Sequence, residues 1–413
     1  MKDADVVVIG GGLSGLMSAA VCAAKNKKVT VLSYGAGTFP LNNGVIDILG
    51  YDEAGNPVED ALAAVENLPA EHPYKKIGSE SIVKSLEFLQ KLSEEYGFPY
   101  AGDVHQNQWL PTAVGTLKPT CLAPLSMQGN KCRKYDKYLL VGIKKLKDFY
   151  VDMVLTNLPE WLGQGKQYEK AEVDLHWDEG RDATTLDFAR ILDTQEGYNS
   201  LAAQLKKYAS QDKLLLLPQI LGLKDKTVLS RLQQDLQCEI VELTSMPPAA
   251  NGLRLKEMLL AYLRKNNVRF IEKACVTGAE VENGVCKAVV TTNNHRNIRY
   301  EADKFILATG GFYSGGLWMK WLGDAKERVF DLPVEMNCSE ETWSNPELFS
   351  AEKQNFAKAG IRTDDNLHPV DRDGNVLLQN VCIVGRNLSN SDFCFEQSGN
   401  GIAVSSAYKA ALV

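Results

Sequence analysis

The stretch Val6-Val7-Val8-Ile9-Gly10-Gly11-Gly12-Leu13-Ser14-Gly15 decides the fold of this chain. Consecutive β-branched residues at 6–9 suit a strand buried on both faces, as in a parallel sheet. Glycines at 10, 12 and 15 form the dinucleotide pattern. Gly10 allows the tight turn, Gly12 lets the main chain approach a pyrophosphate, and Gly15 lets the next helix pack closely on the strand. Gly11, Leu13 and Ser14 complete the turn, and the first amides of the helix present N–H groups and a partial positive charge to an anion. An Ala-rich helix over 16–24 and a strand at 29–32 follow, the order that such a turn requires. A nucleotide cofactor is the ligand this arrangement suits.

At the end of the second strand, where Asp or Glu usually holds a ribose, the chain has Ser33 and Tyr34. A hydroxyl accepts a ribose hydrogen bond more weakly than a carboxylate. The turn alone therefore leaves the length of the nucleotide open.

The 413 residues suffice for two domains, one of them discontinuous. A net charge of −7 argues against a nucleic-acid surface and leaves any anionic substrate dependent on local Arg and Lys. No run of apolar residues reaches membrane-span length, and the first residues lack the basic and hydrophobic regions of a leader. The expectation is a cytoplasmic protein, with any membrane attachment supplied by a partner. Nine cysteines, scattered and without a CxxC, read as small buried hydrophobes rather than disulfide, zinc or iron–sulfur ligands. No metal site is expected.

After the second strand, residues 35–44 are rich in turn formers. Asn42, Asn43 and Gly44 either offer amide donors to a cofactor or form a plain Asx-turn loop. Residues 58–245 read as a separate body of mixed structure. Apolar spacing predicts helices over 60–67, 79–96, 147–157, 184–192 and 198–209, with short strands at 138–143, 214–217 and 239–243. An amphipathic helix over 251–265 with Asn251 as N-cap, a strand at 268–271 and a hairpin turning at Asn283-Gly284 come next.

The hairpin leads to a buried strand ending in Ala308-Thr309-Gly310-Gly311. This is a second signature of flavin-dinucleotide domains, in which small residues let the chain pass close to the cofactor. A third lies further on: a strand ending at Gly385, then Gln397-Ser398-Gly399-Asn400-Gly401 opening a final helix. In this architecture the helix aims its N-terminal amides at the pyrimidine edge of a flavin.

The sequence resembles the B subunit of the anaerobic glycerol-3-phosphate dehydrogenase. The resemblance is carried by Gly10-Gly11-Gly12-Leu13-Ser14-Gly15-Leu16, Asn43-Gly44-Val45-Ile46-Asp47-Ile48-Leu49, Glu71-His72-Pro73-Tyr74, the stretch from Leu110 to Thr120, Leu243-Thr244-Ser245-Met246-Pro247-Pro248 and Gly252-Leu253-Arg254-Leu255. It covers essentially the whole chain, with Asp392-Phe393 and Gln397–Gly401 as the departure from the family's C-terminal loop. The implied fold is α/β: a Rossmann-like FAD/NAD(P)-binding domain in discontinuous segments (1–57, 246–312 and 374–413) around an inserted mixed α/β domain (58–245 with 313–373). The implied activity is oxidation of sn-glycerol 3-phosphate to dihydroxyacetone phosphate with electrons passed to quinone. Implied partners are a catalytic flavoprotein, the A subunit, and a membrane-attached iron–sulfur protein, the C subunit. The family description implies FMN, whereas the pyrophosphate-shaped turn favours FAD.

Three side chains are candidates for the chemistry. Oxidising a phosphorylated polyol requires a proton acceptor and a cation for the phosphate. His72 is the acceptor candidate, or else a structural part of its His-Pro-Tyr loop. Arg254 and Lys118 are the cation candidates, or else surface or salt-bridged residues. Two further functions stay open: a non-catalytic electron-relay and docking component of the same complex, and a soluble flavin enzyme of the succinate/fumarate type.

Overall fold

The computed structural model describes residues 4–178, 180–293, 296–319, 325–336, 338–339, 341–347, 350 and 353–413. The chain divides into two compact units, Met1–Thr38 with Asp47–Leu92 and Leu259–Val413, and Phe39–Ile46 with Ser93–Met258.

The first unit is built on five parallel strands: β1 (Val6–Ile9), β2 (Val29–Leu32), β3 (Arg269–Ile271), β4 (Lys304–Leu307) and β5 (Val381–Ile383). Their order is β3-β2-β1-β4-β5, with Val6 opposite both Val29 and Lys304 and Phe305 opposite Val381. This is the doubly wound order, which reverses between β1 and β4 and opens a crevice at the carboxyl ends of those two strands. Every residue of β1, β2 and β5 is buried, which is why their β-branched runs show no alternation. Helix α1 (Leu13–Ala24) is buried from Leu13 to Ala23 and packs against a late helix over Gly399–Ala410.

Strands Val276–Glu282 and Val285–Asn293 form the expected hairpin, with Asn283 and Gly284 at φ +51° and +74°. Positive φ at both central residues is what an Asn-Gly turn supplies. A third strand, Arg296–Glu301, extends this antiparallel sheet. It was not expected because its exposed, charged residues lack an apolar repeat.

The second unit carries its own parallel sheet, in the order Glu239–Glu242, Lys213–Leu217, Lys137–Ile143, Gln167–Val173. Side chains alternate between two cores. Leu139, Val141, Leu215, Leu217 and Ile240 face one, with Phe188, Leu201 and Leu232 from three helices. Tyr138, Leu140, Leu214, Leu216 and Val241 face the other, with Val154 and Leu158 from the helix Val151–Leu162.

The expected domain limits differ from this division. Residues 58–92 and 313–373 lie in the first unit and 246–258 in the second. The reason is packing that composition does not report. Tyr74 is fully buried and donates through its hydroxyl to the Ser398 carbonyl, and the Ile361 amide donates to the Asn387 carbonyl at 2.7 Å. Asn251 likewise lies inside the helix Ala250–Lys265 rather than capping it.

Candidate functional site

The glycines after β1 divide by what surrounds them. A Cβ on Gly10 would fall 2.2 Å from the Ala308 carbonyl oxygen, and one on Gly15 would fall 2.0 Å from the Gly10 oxygen. Packing alone demands those two. Around a Cβ on Gly12 nothing lies within 4 Å. No neighbour requires glycine there, and the residue leaves a bare strip of main chain at the start of α1, whose cap position has no side-chain hydrogen bond. A pyrophosphate can lie on that strip against the first amides of the helix. Gly11 brings its backbone against Ser33, which is buried and donates to the Gly35 carbonyl at 3.0 Å.

Across the crevice, Thr309, Gly310 and Gly311 leave β4. They are held by Asn387, a fully buried residue that accepts from the Gly310 amide at 2.8 Å and donates to Thr309 Oγ1 at 3.1 Å. Gly385, at φ +63°, donates to Ser406 Oγ at 2.9 Å, and a Cβ there would meet Ser14 Oγ at 2.6 Å. The three segments singled out by sequence thus converge in the first unit. Asn387 was missed; an Asn two residues after a strand-ending glycine is the signal that could have found it.

The late helix, Gly399–Ala410, begins without a side-chain cap because the Ser398 hydroxyl donates instead to Glu396 Oε2 at 2.9 Å. Gly401 donates to the Asp47 carbonyl, and a Cβ on it would meet the Tyr74 hydroxyl at 2.3 Å. Asn400 is half-buried beside it.

His72 sits behind this loop, not in the open. It is buried and caps the short helix Pro73–Ile77, with Nδ1 accepting from the Tyr74 amide at 3.2 Å. With Nδ1 accepting, Nε2 is the donor nitrogen of the ring, and it lies 3.2 Å from Glu396 Oε2. Glu396 also accepts from the Asp392 amide through Oε1, at 2.9 Å. Burial would raise its carboxyl, yet the hydrogen bond and charge of His72, with the Asp392 and Ser398 donors, hold it below the ordinary value of 4.5. Both ring nitrogens of His72 are thus committed to shaping the loop that precedes the late helix.

The remaining expected residues lie in the second unit. Asn42 Oδ1 accepts from the Gly44 amide at 2.7 Å, an Asx-turn, and Asn43 Oδ1 accepts from Gln219 Nε2 at 3.0 Å and the Ser245 amide at 2.9 Å. Arg254 is buried and forms a two-pronged pair with Glu242, at 2.7 and 3.1 Å, while its Nε donates to the Gly222 carbonyl at 2.6 Å. As placed, its guanidinium is a structural partner of Glu242, not an exposed anion contact. Lys118 stands half-buried opposite Leu110 in a two-stranded ladder.

All nine cysteines are free thiols. Among the described residues no group of His, Cys, Asp or Glu is placed to hold a metal ion, and no helix is long and apolar enough to cross a membrane.

Comparison with known proteins decides between the ligands that fit this crevice. The FAD binding domain family matches residues 5–402. The chain belongs to that family. FAD, which the glycine turn favours, is accordingly the cofactor, and the protein is a flavin-dependent dehydrogenase. Within the FAD binding domain family the chain is 30% identical to the B subunit of the anaerobic glycerol-3-phosphate dehydrogenase of Vibrio cholerae, over 99% of this chain and 96% of the relative. It is 29% identical to the probable B subunit of the same enzyme from Halobacterium salinarum, over 99% and 97%. The whole-chain resemblance to the B subunit is thus borne out. A solved 3-ketosteroid delta1-dehydrogenase from Sterolibacterium denitrificans covers 99% of this chain and 98% of its own at 9% identity, with a TM-score of 0.45.

Proposed function

We propose that the chain is the B subunit of a glycerol-3-phosphate dehydrogenase that oxidises sn-glycerol 3-phosphate to dihydroxyacetone phosphate. Its electrons pass to quinone through two partners, a catalytic flavoprotein and a membrane-attached iron–sulfur protein, and the chain itself is a cytoplasmic protein held at the membrane by them. The observation that carries this reading is identity to the B subunit over the full length of the chain, joined to a crevice whose Gly12 is open for a reason no packing neighbour supplies.

FAD, when bound, accepts the two electrons released as the secondary alcohol becomes a ketone. The chain's own residues bind and orient it. The first amides of α1 and the Gly12 strip would hold the pyrophosphate, the Ser33 hydroxyl would be the group available to the ribose, and Asn387 fixes the loop from Thr309 to Gly311. His72 and Glu396 hold the Gly399–Gly401 turn in place from behind.

A second reading, an electron-relay and docking component, is favoured by the commitment of His72 and Arg254 to internal partners. Anaerobic mixing separates the two. If the FAD-loaded chain alone is bleached rapidly by glycerol 3-phosphate, it oxidises substrate itself; if bleaching needs the partner flavoprotein, it relays electrons. No bleaching under either condition would overturn both.

A further inference from the structure

The parallel sheet of the second unit has a reversal of its own. In chain order its strands are Lys137–Ile143, Gln167–Val173, Lys213–Leu217 and Glu239–Glu242, and in the sheet the first and third lie side by side. The helix after the first strand packs on one face, and the helices after the second and third pack on the other. The loops leaving the carboxyl ends of the first and third strands therefore part in opposite directions, which is where an open parallel sheet binds ligands. Segments distant in sequence are tied together there. Asn43 Oδ1 accepts from the Ser245 amide, the Thr244 amide donates to the Pro111 carbonyl at 3.0 Å, and the Ala113 amide donates to the Thr244 carbonyl at 2.8 Å. From the loop after the third strand, the Gln219 amide donates to Ser245 Oγ at 3.2 Å.

These ties set Ser245 on the wall of a narrow recess open to solvent. Lys147, Asp148 and Phe149 enter it from the loop after the first strand, and Met246 and Pro248 from the loop after the fourth. Two threonines on the same wall are spent, Thr184 Oγ1 donating to Asp187 and Thr185 Oγ1 to the Pro248 carbonyl. Three polar groups are left over. Ser245 is only 7% exposed, and its hydroxyl proton has no acceptor among the described residues. Lys144 pairs with Asp174 and Lys145 donates to the Trp177 carbonyl, whereas the exposed Lys147 ammonium and Asp148 carboxylate have no partner among the described residues. A buried donor beside an unpaired cation suits an oxyanion, and a carboxylate beyond them suits the hydroxyls of the same molecule. We propose that this recess binds a small phosphorylated polyol by its phosphate: Lys147 supplies the charge, the Ser245 hydroxyl donates to a phosphate oxygen, and Asp148 accepts from a polyol hydroxyl nearer the mouth. The narrow floor takes one oxyanion and excludes a nucleotide. With Arg254 committed to Glu242, Lys147 replaces it as the cation for the phosphate. The inference rests on the reading of glycerol 3-phosphate as substrate, and it assigns binding, not hydride transfer, to this recess.

The test uses the full chain loaded with FAD. Acylation of amines followed by mass spectrometry reads Lys145 and Lys147 separately. Glycerol 3-phosphate is expected to protect Lys147 and leave Lys145 unchanged, inorganic phosphate to protect less at equal concentration, and glycerol not at all. By calorimetry, Lys147→Gln and Ser245→Ala should each bind dihydroxyacetone phosphate about tenfold more weakly, the loss of one hydrogen bond to a charged group, with Lys147→Arg recovering part of the loss. The Lys147 variants change an exposed side chain without a partner, so the test stands even if Ser245→Ala fails to fold. Absence of protection, equal protection of both lysines, or unchanged binding in Lys147→Gln overturns the site. Inorganic phosphate protecting as well as glycerol 3-phosphate overturns the choice of a polyol. Anaerobic bleaching of the flavin in the presence of the partner flavoprotein tests the proposed function separately. Bleaching without protection of Lys147 overturns the recess and leaves that function standing; protection without bleaching supports the recess and overturns the function.

Discussion

Single residues show how function and packing compete for the same side chains. Arg254 looked suited to an anion, and the structure commits it to Glu242, with both side chains essentially inaccessible to water. Removing one member of such a pair strands the other charge, which costs about 3–5 kcal/mol. Arg254→Ala should therefore lower the denaturant midpoint sharply, and pairing Arg254→Met with Glu242→Leu should recover most of the loss. Glu396 offers a second check. Its folded value lies below the ordinary 4.5, so its contribution to stability is complete above that pH and is lost as the pH falls through the folded value. Melting temperatures measured from pH 6 downward should fall in the wild type once the pH passes below about 4.5. Glu396→Gln should start lower and show a flatter acid limb. An acid limb as steep in the variant would remove Glu396 from the account.

At the scale of elements, legibility followed burial. The run Val6–Ile9 and the turn after it could be read directly because a strand covered on both faces must be apolar throughout, and a helix approaching a strand closely must carry glycine. The hairpin at Asn283-Gly284 was legible for an equally local reason. The strand Gln167–Val173 was not: five of its seven residues are at least partly exposed at a sheet edge, so its sequence resembles a surface loop. Of the site, the glycines were visible and their fastenings, Asn387 and Glu396, were not, because a hydrogen bond between distant segments leaves no local trace. The glycines themselves make a paired prediction. Gly12→Ala should leave the flavin-free protein within about 1 kcal/mol of wild type, the cost of a poorer helix cap, while abolishing flavin retention. Gly15→Ala should lose both fold stability and flavin, because its Cβ meets the Gly10 oxygen. Circular dichroism and bound-flavin absorbance of the two variants decide the matter.

For the molecule as a whole, two parallel sheets with separate cores predict unfolding in two steps rather than one. FAD at a hundred times its dissociation constant should stabilise the unit that binds it by about 2.7 kcal/mol. Calorimetry with and without added FAD should therefore move one transition upward and leave the other where it was; a single transition that shifts as a whole would count against two independent units. The limits between those units were the least legible part of the chain, since residues 58–92 resemble the segment that follows them in composition yet pack with residues more than three hundred positions later. The strand pairing of Val6 with Lys304, and of Phe305 with Val381, also has a consequence in time. At about 5–20 residues per second, a ribosome that has released the glycine turn needs many more seconds before the last strand and the late helix emerge. A nascent chain holds its phosphate-binding turn long before it has anything to close over a flavin, so stalled or truncated translation products should accumulate colourless, however much riboflavin the cell contains.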